Sequence, residues 1–483
     1  MAAKKNMLRQ KDILKLRKDF VIRAVYSSKK DLDTNIHLVG GVVRNLVSKL
    51  PMGCDYDFVL TSKIKETALR LALILGGSPF LLDKETGSFR IVIRKNNLRV
   101  TVDLSPLKGR DITHDLFMRD FTINAMAVNV EELFETDTVE IIDPLKGVSD
   151  SRRRCIVLIK DTIFEDDPVR LLRAVRLSAQ YGFSISRETE NIIKSKAHLL
   201  KTSSWERIRD EFFIILNCHN IRHNLKKLYA VGLLQEIFPE IRDWEMLSNY
   251  DLMSHIIQAV TEGEKLLYDI KKIMPEYLDA ISSHFDSIVE NIPRICLFKL
   301  GIFLHDIGKP VTMKIDERGI RFTGHDLEGE TIVKRIAKRL KLGKKPAKTL
   351  CSLVRNHHRI FTMASQEKIP YRTKAHLFRA MDKDGIDLLF LSLADARATR
   401  GGEDYRLVQV VRELISFYYN IYSIKKQPPL LKGDDIMRLF KIPEGVMVGR
   451  ILKKVQDTEG EGRVKNKKEA IEFIRRWLLD ESK

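Results

Sequence analysis

Two aspartates two positions apart, Asp55 and Asp57, are the side chains in this sequence best placed to do chemistry. In an extended segment, residues two apart project the same way. Neighbouring carboxylates repel each other unless a cation lies between them, and Mg²⁺ takes hard oxygen ligands completed by substrate phosphates. The same pair also occurs as two solvated acids on an edge strand, so its meaning depends on its surroundings. Upstream stands Leu38-Val39-Gly40-Gly41, an apolar strand end running into paired glycines, followed by an amphipathic stretch from Val42 to Leu50 that reads as a helix carrying Arg44. Glycines at such a turn let backbone approach a phosphate closely, with the helix start facing the anion. Glycines, basic helix and acidic pair on an apolar strand together point to nucleotidyl transfer.

The elements that must hold these residues follow from pattern. Ile64–Leu75 has helical periodicity, and residues 89–94 and 98–104 read as strands joined by an Asn96-Asn97 turn. Asp103 follows a β-branched run and offers a third carboxylate, with a structural role equally open. In Met118-Arg119-Asp120-Phe121-Thr122-Ile123-Asn124-Ala125, Arg119 offers a forked donor and Asp120 an acceptor, a pair that by itself reads as a surface ion pair. Acidic residues before Pro168 mark a helix start, on which Asp167 and Arg170, three apart, share a face. Ser203 and Glu206 are spaced as a capping box for a further helix. From about Asp251 the texture is helical and rich in histidine: His255, His305-Asp306, His325, His357-His358, and then Asp395. Imidazoles and carboxylates on neighbouring helices suit a divalent transition metal that activates water.

The chain has 483 residues, enough for three or four domains. Its formal net charge of +19 favours a polyanionic partner, RNA or DNA, over an acidic protein. Five cysteines without CxxC spacing read as reduced, mostly buried thiols of a cytoplasmic protein. The first twenty residues are basic, with helical spacing at Ile13, Leu14, Leu16 and Phe20. No signal-peptide pattern and no apolar run of membrane-spanning length is present.

GGVVRNL followed by DYDFVL resembles the first motif of the class II tRNA nucleotidyltransferases and bacterial poly(A) polymerases, a family within the DNA polymerase beta superfamily. RDFTINA resembles their second motif. Asp143-Pro-Leu-Lys-Gly147 fits their hinge, and the acid and arginine of residues 164–176 resemble their protein template for the incoming base. Ser203–Glu211 resembles their last core motif. Leu304-His-Asp-Ile-Gly-Lys-Pro310, with the surrounding His and Asp residues, resembles the HD-type metal-dependent phosphohydrolases. The stretch 431–449 resembles the C-terminal element of HD-bearing tRNA nucleotidyltransferases, with basic residues at 463–468 suited to tRNA phosphates.

This resemblance, running from about Ile36 to Leu478, implies an α+β fold. A polymerase-beta-like nucleotidyltransferase head with a small mixed sheet would occupy residues 1–148. An all-α neck (149–245), an HD domain (246–425) and a basic tRNA-binding tail (426–483) would follow. Asp55 and Asp57 would hold Mg²⁺. Gly40, Gly41, Arg44, Arg119, Asp120, Asn124, Asp167, Arg170, Arg173 and Arg176 would bind nucleotide, with Asp103, Arg207, Arg209 and Glu211 in support. His255, His305, Asp306, His325, His357 (or His358) and Asp395 would hold a second metal: nickel, manganese, cobalt or iron. The implied activity is template-independent addition of CCA, or its CC or A part, to tRNA from CTP and ATP, beside a phosphohydrolase. The alternatives are a poly(A) polymerase and a non-catalytic RNA-binding protein on the same fold. Two positions depart from the family pattern: Met118, where a second Arg is common, and Asn45, where Asp is common.

Overall fold

The computed structural model describes residues 6–96, 98–246, 251–317, 319–423, 430–460, 463–464 and 466–481. The chain divides into two compact units, Met1–Pro239 and Glu240–Lys483.

The first unit is built on a seven-stranded mixed sheet. Its strands are β1 (Ile36–Val39), β2 (Asp55–Leu60), β3 (Ser78–Asp83), β4 (Ser88–Lys95), β5 (Leu98–Pro106), β6 (Ala127–Asn129) and β7 (Ile141–Ile142), in the order β3-β4-β5-β2-β1-β6-β7. Strands β2 and β5 run parallel, and their neighbours pair antiparallel. A parallel pair needs a crossover. Here the helix Ile64–Leu75 and the β3–β4 hairpin supply it.

Strand β2 shows why the acidic pair stands where it does. Tyr56 and Phe58 alternate with Asp55 and Asp57, and both aromatic rings are buried in the main core beneath the sheet. That forces the two carboxylates onto the opposite face. The opposite face carries a smaller apolar cluster, built on Val39, Val59, Leu116, Ala125 and Ala127. Strand β3 was not anticipated, because Pro79 and an apolar run without alternation obscure it. It is the first strand in the sheet order, and a proline is tolerated on such an edge. At the N-terminus two helices replace the single basic one expected, Gln10–Lys18 and Phe20–Ser28. They part at Asp19, which caps the second helix through the Val21 and Ile22 amides and accepts from the Tyr56 hydroxyl at 2.8 Å.

Two local expectations are corrected. Asp167 is extended (φ −152°, ψ 92°), lying between the short helix Ile163–Asp166 and the helix Arg170–Tyr181. Proline disfavours helical geometry in the residue before it, so Asp167 meets Arg170 across a turn rather than along a helix face. The capping box is not formed either. The helix Trp205–Asn217 starts one residue later than its spacing requires, with Ser204 as N-cap and the buried Ser203 hydroxyl unpaired.

Among the described residues, the second unit is helical apart from two short hairpins. The helix Arg294–Leu304 is buried on nearly every side, as is most of Asp384–Arg400. Helices apolar all round belong at a bundle centre. Trp244 lies in this unit, its ring 5.6 Å from that of Phe303. The tail helices Gly433–Phe440, Val446–Gly460 and Lys467–Glu481 share a separate small core. The five cysteines are free, with only Cys296 fully buried.

A Cβ placed on Gly147 would lie 2.1 Å from the Thr122 carbonyl oxygen, and backbone cannot yield as a flexible side chain can. Gly147→Ala is therefore expected to destabilise the first unit by about 1–3 kcal/mol, read as a lowered denaturant midpoint.

Candidate active site

Hairpin and crossover registers bring three charged residues into one row. Arg90 pairs with Asp103 across β4 and β5, and Asp103 pairs with Asp57 across β5 and β2. Asp55 is two residues along on the same face. Arg90 donates from Nε and Nη2 to the two Asp103 oxygens, both at 2.6 Å. This forked pair occupies Asp103 and leaves Asp55 and Asp57 to face the cleft. Burial pushes the Asp57 carboxyl up from its ordinary range; Arg119 opposes this, and Asp103 and Asp55 reinforce it. A divalent cation would relieve that cost, so the donor set fits one.

Gly40 makes the approach tight. Its φ is +69°, and a Cβ there would stand 2.9 Å from Asp57 Oδ2. The cleft beyond has a volume of about 640 Å³ and is lined by residues of β1, β2 and β5, the Arg119–Asn124 segment and the helix Arg170–Tyr181. Asp115 holds Arg119 through Nε and Nη2, both at 3.1 Å. Asp120 is buried and accepts from Phe121 N, Asn124 Nδ2 and Arg173 Nη1. Burial alone would raise its pKa, but Arg173 and these hydrogen bonds outweigh it and hold the carboxylate ionised. Arg44, 5% exposed, donates to the Asn124 and Asn45 side-chain oxygens and lies 4.2 Å above the Tyr181 ring. Asn45 also donates to the Pro51 carbonyl, and Met118 lines the cleft.

In the helical part of the first unit, Arg207 donates to Asp167 at 2.8 Å, while Arg170 stands 3.8 Å from the same oxygen. Glu211 faces Arg173 and Arg176 at 3.6 and 3.1 Å. Arg209 pairs with Asp210. The other oxygen of Asp167 and Nε of Arg170 are buried and make no hydrogen bond. That is the state expected of groups waiting for a partner. Three residues that build the site escaped the sequence reading: Arg90, Asp115 and Tyr181. Counting pairs back from the Asn96 turn would have placed Arg90 opposite Asp103, and Asp115 stands four residues before Arg119. No sequence signal marks Tyr181.

The second unit brings His255, His305, Asp306, His325, His357 and Asp395 together. Nδ1 of His305, His325 and His357 each pairs with a main-chain carbonyl three residues earlier, at 2.7, 2.6 and 2.6 Å. That contact fixes the ring tautomer and turns Nε2 inward as a lone-pair donor. Asp306 lies at the centre. Its Oδ2 is 3.1 Å from His305 Nε2 and 3.5 Å from His255 Nε2, and its Oδ1 is 3.4 Å from His325 Nε2 and 3.7 Å from His357 Nε2. Asp395 Oδ1 stands 3.3 Å from His255 Nε2, and Lys309 Nζ 2.6 Å from Asp306 Oδ2. His358 Nε2 is 3.0 Å from His325 Nε2. Burial works to lower His255, but Asp306 and Asp395 raise it to about 9; burial and His305 push His357 down to about 3. These donors fit a transition metal. Gly308 fixes the spacing, since a Cβ there would meet the His325 carbonyl oxygen at 2.1 Å.

Family models match three stretches of the chain: a "Poly A polymerase head domain" over residues 36–157, a "Probable RNA and SrmB-binding site of polymerase A" over residues 182–245, and an "HD domain" over residues 290–400. A CC-adding tRNA nucleotidyltransferase of Thermus thermophilus is 31% identical over 452 residues, covering 91% of this chain and 93% of the relative. An A-adding tRNA nucleotidyltransferase of Deinococcus radiodurans is 29% identical over 451 residues, covering 91% and 95%. Among solved structures, a CCA-adding enzyme with ATP superposes with a TM-score of 0.66 at 19% identity, covering 98% of this chain and 100% of that one. A Thermotoga maritima CCA-adding enzyme complexed with tRNA gives 0.60 at 20%, with the same coverage.

Asp57→Asn removes the charge that a cation would meet and is expected to cut nucleotide incorporation by at least about a hundredfold. Gly40→Ala adds both a left-handed backbone cost and the clash with Asp57. It should lower incorporation similarly while circular dichroism reports a folded protein.

Proposed function

Because this chain belongs to the tRNA nucleotidyltransferase family, we propose that it adds CCA, or the CC or A part of it, to tRNA 3′ ends from CTP and ATP in the cytoplasm. The single observation that carries this reading is the row Arg90–Asp103–Asp57, which leaves Asp55 and Asp57 as the free carboxylates of a cleft rich in arginine. Asp55 and Asp57 would hold Mg²⁺, which when bound supplies charge neutralisation for the triphosphate and acidity for the attacking hydroxyl.

The chain's own residues do the rest. Arg119, braced by Asp115, and the buried Arg44 present cations to the triphosphate, and Asp120 with Asn124 lies within the sugar's reach. Asp167 and Arg170 select the base. A carboxylate accepts from the exocyclic amine of cytosine or adenine, and a guanidinium donates to the adjacent ring nitrogen. Uracil and guanine present a carbonyl and an N–H there, leaving both protein groups mispaired at about 1–3 kcal/mol each. Arg207 steadies Asp167 from the other side.

The same chain carries a second centre. Its donors suit nickel, manganese, cobalt or iron, and its function would be hydrolysis of phosphate esters such as 2′,3′-cyclic ends. A poly(A) polymerase is the weaker alternative, because relatives aligned over nine-tenths of the chain are tRNA nucleotidyltransferases. A non-catalytic RNA-binding role is disfavoured by the free acidic pair.

The test offers purified protein tRNA ending before CCA, after C and after CC, with each NTP separately, and sequences the products. Additions limited to C, A or both at those ends support the proposal. Long adenosine tails on unrelated RNA would favour the polymerase alternative. Asp167→Ala is expected to narrow the preference for CTP and ATP over UTP and GTP by about ten- to a hundredfold. Asp306→Ala is expected to abolish phosphohydrolysis and leave incorporation intact; loss of both in a folded protein would contradict two separate sites.

A further inference from the structure

The helix Gly41–Val47 has the catalytic cleft at its first residues and a different hollow at its last. This second hollow, about 450 Å³, has an aliphatic floor that includes Leu8, Leu46 and Ile141, and a rim that carries Lys49, Arg152 and Arg154. An adjoining hollow of about 360 Å³ shares Arg152 and adds Lys146. Seven helical residues span about 10 Å, so the two faces lie roughly one helix length apart.

The acids beside these cations are already engaged. Asp12 accepts from Arg9 at 2.6 Å, Asp143 accepts from the Gly147 and Val148 amides, and Asp150 takes Thr122 and Arg153. Lys49, Lys146, Arg152 and Arg154 are all exposed, and none has an ion-pair partner among the described residues. Three of the four stand on backbone in the left-handed region, with φ of 56°, 61° and 53° at Lys49, Lys146 and Arg154. Each such residue costs on the order of 1 kcal/mol. Four exposed cations without ion-pair partners around two adjoining hollows make a local positive field that attracts an extended polyanion.

We infer that this face is a second RNA-binding surface, one that grips phosphodiesters of the substrate RNA away from its 3′ end. Phosphates meet the cationic rim, and a sugar or base rests on the aliphatic floor. Such contacts fix register without reading sequence. The inference rests on the reading of the chain as a tRNA-extending enzyme. The competing account is that Lys49 and Arg152 merely complement the C-terminal ends of the helices Gly41–Val47 and Gly147–Arg152.

The experiment measures binding of CCA-less tRNA across a range of salt concentrations with the full chain and two triple variants. One carries Lys49→Glu, Arg152→Glu and Arg154→Glu. The other carries Lys11→Glu, Lys15→Glu and Lys18→Glu, an equal change of charge at exposed cations of the helix Gln10–Lys18. The first variant is expected to bind about ten- to a hundredfold more weakly at low salt, with a salt slope shallower by about two to three, while incorporation at saturating tRNA is unchanged. The second should change far less. Equal losses in both variants would reveal only the protein's general field and overturn the inference. A lowered unfolding midpoint with tRNA affinity intact would favour the helix-end account and overturn it too. Wild-type protein that neither binds nor extends tRNA would instead sink the functional reading.

Discussion

The architecture of the first unit depends on one electrostatic problem: holding Asp57 and Asp103 opposite each other on adjacent strands. Two carboxylates in register repel, and burial makes the charged form dearer still. The fold resolves half of this internally by giving Asp103 to the Arg90 fork. It leaves the other half unresolved at Asp57, whose carboxyl is pushed up despite Arg119. An unresolved charge beside a second free acid is a standing invitation to a cation and a polyphosphate. The glycine turn, the Arg119–Asp120 segment and the helix Arg170–Tyr181 are arranged around that gap.

The same economy recurs in the second unit with different atoms. Main-chain carbonyls take Nδ1 of three histidines, and this leaves three Nε2 lone pairs directed at Asp306. In both places the protein satisfies one side of a polar group and exposes the other, and the exposed side defines the chemistry. Gly40 and Gly308 serve parallel purposes. Each permits an approach that a methyl group would block, one against Asp57 and one against the start of the His325 helix.

Much of this was legible in the sequence, and the reasons can be stated residue by residue. Period-two alternation in Asp55-Tyr56-Asp57-Phe58 gave both the strand and the shared face of the carboxylates, because burial of the aromatic rings admits no other register. Helix Ile64–Leu75 was read to the residue, as its apolar periodicity lies between clear breakers. What pattern could not supply was long-range pairing. Arg90 acquires its partner only through hairpin register, and Tyr181 meets Arg44 only once the helix Arg170–Tyr181 packs beside the helix Gly41–Val47. Local geometry failed at prolines and caps: Pro168 pulled Asp167 off the helix, and Pro79 hid an edge strand. At Asn45 the amide oxygen accepts from the buried Arg44, and the amide nitrogen donates to the Pro51 carbonyl, a contact that a carboxylate could not make.

The central claim is that Asp55 and Asp57 hold the cation that positions a nucleoside triphosphate. It is tested most directly by a crystal structure with Mg²⁺ and a non-hydrolysable CTP analogue. The account predicts cation density touching both carboxylates, with the triphosphate between them and the Arg119 guanidinium. Triphosphate bound elsewhere, with Asp55 and Asp57 free of any cation, would contradict it.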